Sequence, residues 1–241
     1  MYKFDSKIRY SELDEKGYLA VSKIIDYFQD CSNMQSDSLG VGREYLEEKQ
    51  LAWVLSFWQI VIDRRPKQNE PVRVGTFPYD FKGFMGMRNF LFEDADGTRI
   101  ISANSIWTLL DMKTGRPVRA TEDITSHYSL EEKLPMEYAD RKVLIPSVGD
   151  ILAPVKVTRE YIDTNHHMNN AKYIAVAMNY VPSHLDVKEL RIEYKKQAFL
   201  GDELYPFVAS IEGGLAISLR DADGNPFVNM HILTIPGGEV L

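Results

Sequence analysis

A short segment of this sequence contains many side chains that can transfer protons or form hydrogen bonds with an oxygen atom. Within YIDTNHHMNNAKY (Tyr161–Tyr173), seven of the eight positions from Asp163 to Asn170 are polar. An unperturbed imidazole has a pKa near ~6.5, so a histidine such as His167 is suited to act as a general base near neutral pH. Asn and Asp are equally the usual N-cap residues of helices. The spacing alone therefore leaves two interpretations open, a helix cap and a catalytic loop.

The polar segment stands directly before a predicted helix. That helix covers about residues 170–180 and is ended by Pro182. An earlier helix is predicted over about residues 21–35, with Gly40 just beyond it. Its apolar residues recur at helical spacing: Val21, Ile24, Ile25, Phe28 and Cys31.

The chain carries an internal duplication. The sequence DADG occurs at Asp94–Gly97 and again at Asp221–Gly224, each time between runs of alternating apolar and polar residues. Such alternation interrupted by Asp-Gly predicts a β-hairpin. Two hairpins with matching flanks indicate two copies of one plan. The segment beginning ELDEKGYLAVSKII aligns with the polar segment and sets Asp14 opposite Asp163.

Each copy reads as a strand, a helix and three or four antiparallel strands. This is an α+β layout, and we expect the two sheets to pair edge to edge and to bury both helices. The predicted parts are an N-terminal half (residues 1–113), a connector (114–153) and a C-terminal half (154–241). The connector is expected to hold some helix or strand of its own.

The composition restricts the class of protein and its surroundings. The formal charge of −7 argues against nucleic acid as the main partner. Cys31 is the single cysteine, so no internal disulfide forms, and a reducing compartment such as the cytoplasm is expected. The N-terminus has no apolar run of signal-peptide length, and the apolar clusters are too short to span a membrane.

The polar segment resembles the D-x-N-x-H-x-N-N-x-x-Y signature of acyl-acyl-carrier-protein thioesterases, the plant-type fatty-acyl hydrolases and their bacterial relatives. The matching residues are Asp163, Asn165, His167, Asn169, Asn170 and Tyr173. The opening IRYSELDEKGYLAVSKIIDYFQD and the predicted strand IEYKKQAFLGD are also typical of that family. The resemblance implies a double hot-dog fold and hydrolysis of fatty acyl-acyl-carrier-protein, with acyl carrier protein as the partner and no cofactor.

The resemblance implies chemistry for individual residues. His167 and Asp163 are expected to activate water, with Asp163 either orienting the imidazole or itself taking the proton, and with Asn165 positioning the water or the carbonyl. Asn169 and Asn170, at the start of the second helix, are expected to present backbone N–H groups to the oxyanion. The first copy has Lys16 and Tyr18 opposite Asn165 and His167, so one active site is expected, in the second half.

Two positions depart from the plant pattern L-E-Y-R-R-E-C, because this chain reads Ile192-Glu-Tyr-Lys-Lys-Gln197-Ala198. The family's Glu is Gln197 here and its Cys is Ala198, so neither a glutamate base nor a cysteine nucleophile is available there. Glu193 lies four residues earlier, and in a continuous strand it would point to the same face as Gln197. Gln197 and Glu193 are therefore secondary candidates for the catalytic network.

The remaining predictions concern ligands and partners. Met34, Trp53 and Phe57 are candidate acyl-binding residues, although apolar side chains are more often plain core. His166 and His167 are not at metal-ligand spacing, so no metal site is predicted.

Basic clusters at Arg191, Lys195 and Lys196 and at Arg64, Arg65 and Lys67 suggest either carrier docking or a solvated edge. An acyl-CoA thioesterase and a non-catalytic acyl-binding protein remain alternatives, and a homodimer is one open oligomeric state.

Overall fold

The computed structural model of the chain describes residues 1–237. Its helices are α1 (Val21–Ser38), α2 (Arg43–Glu48), α3 (Glu122–Thr125) and α4 (Asn170–Met178). The strands of the first half are β1 (Tyr2–Lys7), β2 (Leu51–Ile62), β3 (Pro71–Lys82), β4 (Met85–Glu93) and β5 (Arg99–Asp111). Those that follow are β6 (Asp150–Ile151), β7 (Val155–Lys156), β8 (Leu185–Tyr194), β9 (Glu203–Ile211), β10 (Gly214–Arg220) and β11 (Pro226–Pro236).

The strands form one continuous antiparallel sheet in the order β1-β3-β4-β5-β2-β8-β11-β10-β9-β6, while β7 pairs with β9 off this path. The two halves meet where β2 pairs with β8, with Trp58 opposite Ile192 and Ile60 opposite Leu190. The expected edge-to-edge pairing of the two sheets is confirmed. Both DADG segments form the predicted hairpins, β4–β5 and β10–β11.

The helices α1 and α4 pack against each other on one face of this sheet. A single core cluster contains residues from both halves, including Phe28 of α1, Ile174 of α4, Trp58 of β2 and Ile192 of β8. The buried stripe of α1 has the predicted period and continues to Gln35. The two long helices therefore share one core, as the α+β double hot-dog prediction requires.

The connector lies across the opposite face of the sheet, which we call the outer face. Gln59 of β2 donates to the Glu137 carbonyl and accepts from the Ala139 N–H, at 3.0 and 2.8 Å. Further along, the Val143 N–H donates to Glu193 of β8 at 3.1 Å. Besides α3, the connector contributes β6 at the edge of the sheet. Polar side chains of the strands thus satisfy backbone groups that the connector would otherwise bury unpaired.

Candidate active site

The polar segment forms a tight turn that is closed by its own backbone. The Asp163 N–H donates to the His167 carbonyl at 2.9 Å, and the His166 N–H donates to the Asp163 carbonyl at 3.0 Å. Asp163 Oδ1 accepts the Asn165 N–H at 2.8 Å. His166 has a positive φ of 64°, which lets the chain reverse at this point. The turn therefore brings Asp163, Asn165 and His167 to the start of α4.

The first half contains the same turn. The Asp14 N–H donates to the Tyr18 carbonyl at 2.8 Å, and Asp14 Oδ1 accepts the Lys16 N–H at 3.0 Å. Gly17 takes the place of His166 with a φ of 81°. Asp14 and Asp163 thus share one local structural role, which explains why the aspartate is present in both copies although Asn165 and His167 are not.

The start of α4 separates the roles of the two asparagines. Asn169 is the N-cap residue, and its side chain accepts the Ala171 N–H at 2.8 Å. Its own N–H donates to the Tyr161 carbonyl at 2.8 Å, so the expectation that Asn169 offers a backbone donor to the oxyanion is wrong. The Asn170 N–H makes no hydrogen bond with another residue in the range 1–237. That N–H is one of the donors that a helix leaves unpaired at its N-terminus.

Two tyrosine hydroxyls form hydrogen bonds with backbone groups at and near the start of α4. Tyr194 Oη donates to the Asn170 carbonyl at 3.1 Å, and Tyr173 Oη accepts the Ala198 N–H at 2.9 Å. The Met168 N–H donates to the Ala198 carbonyl at 2.8 Å, so both backbone groups of Ala198 are fixed. Burial raises the pKa of Tyr173 to about 12, and the phenol stays neutral at working pH. The segment that carries Gln197 is thereby pinned beside the polar turn.

Glu193 and Gln197 do not share a face. Strand β8 ends at Tyr194, so the alternation that would align the two residues stops before Gln197. Glu193 lies on the outer face, where it accepts the Val143 N–H and pairs with Lys195. The expectation that Glu193 could serve the site is therefore wrong. Gln197 is exposed and lies at the cleft described next.

The polar turn, the start of α4 and one face of α1 enclose a cleft of about 1110 Å³, which we call the reaction cleft. The predicted site residues that line it are Asp163, Asn165, His167, Asn169, Asn170, Gln197 and Trp53. The ring of Phe199 meets that of His167 edge to face, with centroids 5.3 Å apart. Polar groups thus converge on one concave surface, as in ligand sites generally.

The face of α1 adds residues to the reaction cleft that sequence reasoning missed. Gln29 Oε1 accepts the side-chain N–H of Asn170 at 2.8 Å, which joins the two halves at the helix start. Asp30 lines the same cleft, and burial together with the charge of Asp26 raises its pKa. Both residues lie in a helix that was interpreted only through its apolar stripe. Of the additional residues at this site, only Tyr173 belongs to the family signature, and no sequence signal marked Gln29 or Asp30.

A second cavity of about 410 Å³ adjoins the reaction cleft in the first half, and we call it the inner cavity. Thr164, Asn165, Trp53 and Trp107 line both spaces. Other walls of the inner cavity come from the C-terminal part of α1 and from β3 and β4. An elongated ligand can therefore extend from the reaction cleft into the inner cavity.

Only one of the three candidate acyl-binding residues lines these spaces. Trp53 does so. Met34 is 43 % exposed and lines neither space, because the buried stripe of α1 continues through Ser32 and Gln35. Phe57 is fully buried but lines neither space, because a bulge between Leu55 and Phe57 directs it to the outer face. The expectations for Met34 and Phe57 are wrong.

The basic clusters are compensated by acidic partners. Lys195 pairs with Glu193 and Lys196 with Asp221. The arginines of the two clusters also form ion pairs. Arg191 pairs with Glu189, Arg64 with Glu70 and Asp94, and Arg65 with Asp14 and Asp186. Lys67 lies over the ring of Tyr18. These clusters therefore supply less attraction for an acidic carrier than their sequence indicates.

Two further observations concern metal binding and membrane-spanning helices in the described residues. No group of three His, Cys, Asp or Glu side chains in residues 1–237 is placed to hold a metal ion. No helix in that range is long and apolar enough to cross a membrane.

Comparisons with known proteins identify the class and then the family. A structure described as an acyl-ACP thioesterase from Bacteroides thetaiotaomicron superposes with a TM-score of 0.89, 22% identity and 97% of each chain covered. The 12:0-ACP thioesterase from Umbellularia californica superposes with a TM-score of 0.86 and 17% identity over 98% of this chain and 97% of that one. Both share the fold, an α+β double hot-dog.

The model of the acyl-ACP thioesterase N-terminal domain matches residues 1–128, and that of the C-terminal domain matches residues 148–230. The chain belongs to the acyl-ACP thioesterase family. A chloroplastic acyl-[acyl-carrier-protein] hydrolase of Cuphea viscosissima is 28% identical over 209 residues, covering 79% of this chain and 50% of the relative. The chain spans about half to three-fifths of the length of the first three curated relatives it matches.

Proposed function

We propose that this protein hydrolyses the thioester of fatty acyl-acyl-carrier-protein, releasing a free fatty acid and the carrier thiol, the step that ends fatty acid synthesis. The observation that carries the proposal is the placement of Asp163, Asn165, His167 and the free Asn170 N–H on one wall of the reaction cleft. Membership of the family supports the same reaction. The inner cavity offers room for an acyl chain beyond that wall.

The leaving group makes modest demands on the protein. A thiol has a pKa near ~8.5, so the thiolate departs with little help from an acid. Catalysis must therefore supply an activated water and a partner for the oxyanion. In the proposed mechanism His167 removes a proton from the attacking water, and Asp163 stabilises the imidazolium that forms. Asn165, at the junction of the two spaces, holds the water or the thioester carbonyl.

The start of α4 is the proposed oxyanion site. The Asn170 N–H is free of other partners within residues 1–237, and the N-terminal end of a helix favours negative charge. Removing one donor of this kind costs about 10²–10³ in rate in other enzymes. Asn169 contributes indirectly, because its side chain caps the helix and fixes where the Asn170 N–H points.

The proposed partner is an acyl carrier protein, and an acyl-CoA is the alternative carrier. A cytoplasmic location and the choice between one chain and a homodimer stay predictions from the sequence. So does the division at residues 113 and 153. Relative turnover of one acyl chain on the two carriers distinguishes the carriers.

The test is a release assay on acyl-carrier-protein substrates with His167→Ala and Asp163→Asn beside the parent. Loss of the general base is expected to lower kcat about 10²–10⁴-fold. Asn at position 163 keeps an oxygen that can accept the Asn165 N–H but removes the charge, so the turn is preserved while the support for His167 is lost. The matched control is His166→Asn, which tolerates a positive φ and should retain activity.

Full activity of both His167→Ala and Asp163→Asn in folded protein would contradict the assigned roles. Gln197→Glu tests the departure from the plant pattern in the same assay. Because Gln197 lines the reaction cleft, a carboxylate there could add a second base. A parent inactive on every chain length, together with a large gain on Gln197→Glu, would favour the alternative of a non-catalytic acyl-binding protein.

A further inference from the structure

One carboxylate of the reaction cleft lacks a partner. Six acidic residues line this cleft: Glu12, Asp26, Asp30, Glu47, Asp111 and Asp163. Glu12, Asp26 and Glu47 pair with arginine or lysine side chains. Asp111 and Asp163 accept backbone N–H groups of their own turns. Asp30 is the one member of this set that makes no hydrogen bond or ion pair within residues 1–237, so both of its oxygens are available to a ligand.

The position of Asp30 on α1 brings this carboxylate close to the proposed site of reaction. The preceding residue, Gln29, accepts the side-chain N–H of Asn170 at 2.8 Å, so α1 touches the start of α4 at this level. Asn33, one helical turn further along α1, lines both the reaction cleft and the inner cavity. Asn165 of the polar turn lines both spaces as well. Asp30 therefore lies near the oxyanion site and near the junction of the two spaces.

The attacking water needs a second acceptor if it is to be held in one orientation. A water molecule has two O–H groups, and the mechanism proposed above uses His167 for only one of them. An anionic oxygen that accepts the second O–H would direct a lone pair of the water towards the thioester carbon. Asp30 remains accessible to solvent, as this task requires. Partial burial and the charge of Asp26 raise the pKa of Asp30, which makes its carboxylate a stronger acceptor than an ordinary aspartate.

We propose that Asp30 is a further catalytic residue, whose carboxylate accepts the second O–H of the attacking water and so holds the nucleophile between the two halves of the chain. This inference rests on the proposed function, because it deepens the chemistry of the same site.

The proposed step balances without a further reactant. The O–C bond forms as one proton of the water passes to His167, and the carbonyl electron pair moves to the oxygen beside the Asn170 N–H. When that pair returns, the C–S bond breaks and the leaving thiolate takes the proton from His167. The second O–H becomes the hydroxyl of the fatty acid, and Asp30 stays ionised throughout.

The test compares Asp30→Ala with the parent in a release assay on one acyl-acyl-carrier-protein that the parent hydrolyses. We expect kcat to fall about 10- to 100-fold with little change in KM, because a hydrogen bond to a charged group is lost in the transition state. Asp30→Glu keeps the carboxylate and should retain more of the rate. A kcat that is unchanged in Asp30→Ala, or a loss confined to KM, would overturn the inference.

Asp26→Ala is the matched control. It removes the same charge from α1, one helical turn earlier in the same cleft, where the carboxylate pairs with Lys23. At a mildly alkaline pH, where both aspartates are ionised, its kcat should stay within about two-fold of the parent. An equal fall of kcat in Asp26→Ala and Asp30→Ala would mean that the net charge of this helix face sets the rate, which would also overturn the inference.

Chemical rescue distinguishes a carboxylate that contacts the water from one that only supports the fold. Alanine preserves the helix and leaves the space of the missing carboxyl group, which added formate can enter. Formate is expected to raise the kcat of Asp30→Ala about five-fold or more and to leave the parent and Asp26→Ala unchanged. A loss of rate that neither formate nor Asp30→Glu relieves would assign Asp30 to the fold and would contradict its contact with the water.

The same assay separates this inference from the proposed function. If the parent hydrolyses the substrate and His167→Ala is strongly impaired while Asp30→Ala keeps the full rate, the hydrolytic function stands and the inference fails. If the parent cleaves no thioester, the hydrolytic function fails, and the role of Asp30 fails with it.

Discussion

Asn170 is held by residues that come from both halves of the chain. Its side-chain N–H donates to Gln29 of α1, and its carbonyl accepts from Tyr194 of β8. Its backbone N–H makes no hydrogen bond with another residue in the range 1–237, and in the proposed mechanism it is the oxyanion donor. Because the donor must point at the oxyanion within a few tenths of an ångström, these contacts matter for rate more than for binding.

We therefore expect Gln29→Ala to lower kcat about 5- to 10-fold with little change in KM, since one hydrogen bond that positions Asn170 is lost. Gln29→Glu keeps an oxygen acceptor and should restore most of the rate. Steady-state kinetics of the two variants measures this split. A rise in KM with unchanged kcat would indicate instead that Gln29 contacts the substrate.

At the scale of single residues, the sequence predicts which residues belong to the site better than it predicts the direction in which their side chains point. Asp163, Asn165 and His167 were found from a motif, and the structure places all three at the reaction cleft. Glu193 was assigned to the wrong face, because no pattern in the sequence marks the end of β8 at Tyr194. The separate roles of Asn169 and Asn170 depend on hydrogen bonds to distant residues, which one sequence does not reveal.

The turn that contains Asp14 and the turn that contains Asp163 differ at the residue where the chain reverses. Gly17 adopts a positive φ without steric cost, whereas His166 adopts it with a Cβ atom. A non-glycine residue in this region is strained, and such strain is often retained at functional sites. The second copy therefore sacrifices some stability where the first does not.

We expect His166→Gly to raise the free energy of unfolding by up to about 1 kcal/mol, because relief of the left-handed strain exceeds the added entropy of glycine in the unfolded chain. Urea denaturation of the variant and the parent measures the difference. The reverse change in the first copy, Gly17→His, should destabilise by a similar amount. A loss of stability in His166→Gly would mean that the imidazole makes a favourable interaction in the folded chain.

The elements themselves were largely predictable. Periodicity predicted α1 and α4 to within three residues at their ends, and the DADG repeats predicted two hairpins. The bulge in β2 was not predictable, because the apolar run Leu51–Ile62 does not mark which residue is extra. That one extra residue reversed the expected direction of Phe57.

At the scale of the whole molecule, the halves share one sheet and one core. Ile60 of β2 is fully buried and pairs with Leu190 of β8, across the boundary between the copies. We expect Ile60→Ala to lower the free energy of unfolding by about 2–5 kcal/mol, the usual cost of a cavity in a packed core.

The loss should appear as one shifted transition, with tryptophan fluorescence and far-UV circular dichroism coinciding during urea denaturation. The surface change Val61→Ala on the same strand, at a partly exposed position, is the matched control and should cost less. Two separate transitions would contradict a single cooperative core.

The duplication predicted the pairing of two sheets, but not the route of the connector. A long segment without strong periodicity carries no signal for the face on which it lies. Here the polar residues Gln59 and Glu193, buried on the outer face, are what hold it. In sequence such residues read as ordinary strand positions.

This arrangement sets a rule for recombining segments among relatives. The connector joins residues of β2, β8 and β11 through hydrogen bonds to Gln59, Glu193 and His231. A chimera that takes its connector from one parent and these strands from another would mismatch hydrogen-bond donors and acceptors between the connector and the outer face of the sheet. A single crossover placed in the second DADG turn would keep the connector with β2 and β8, and only β11 would then need to be matched by design.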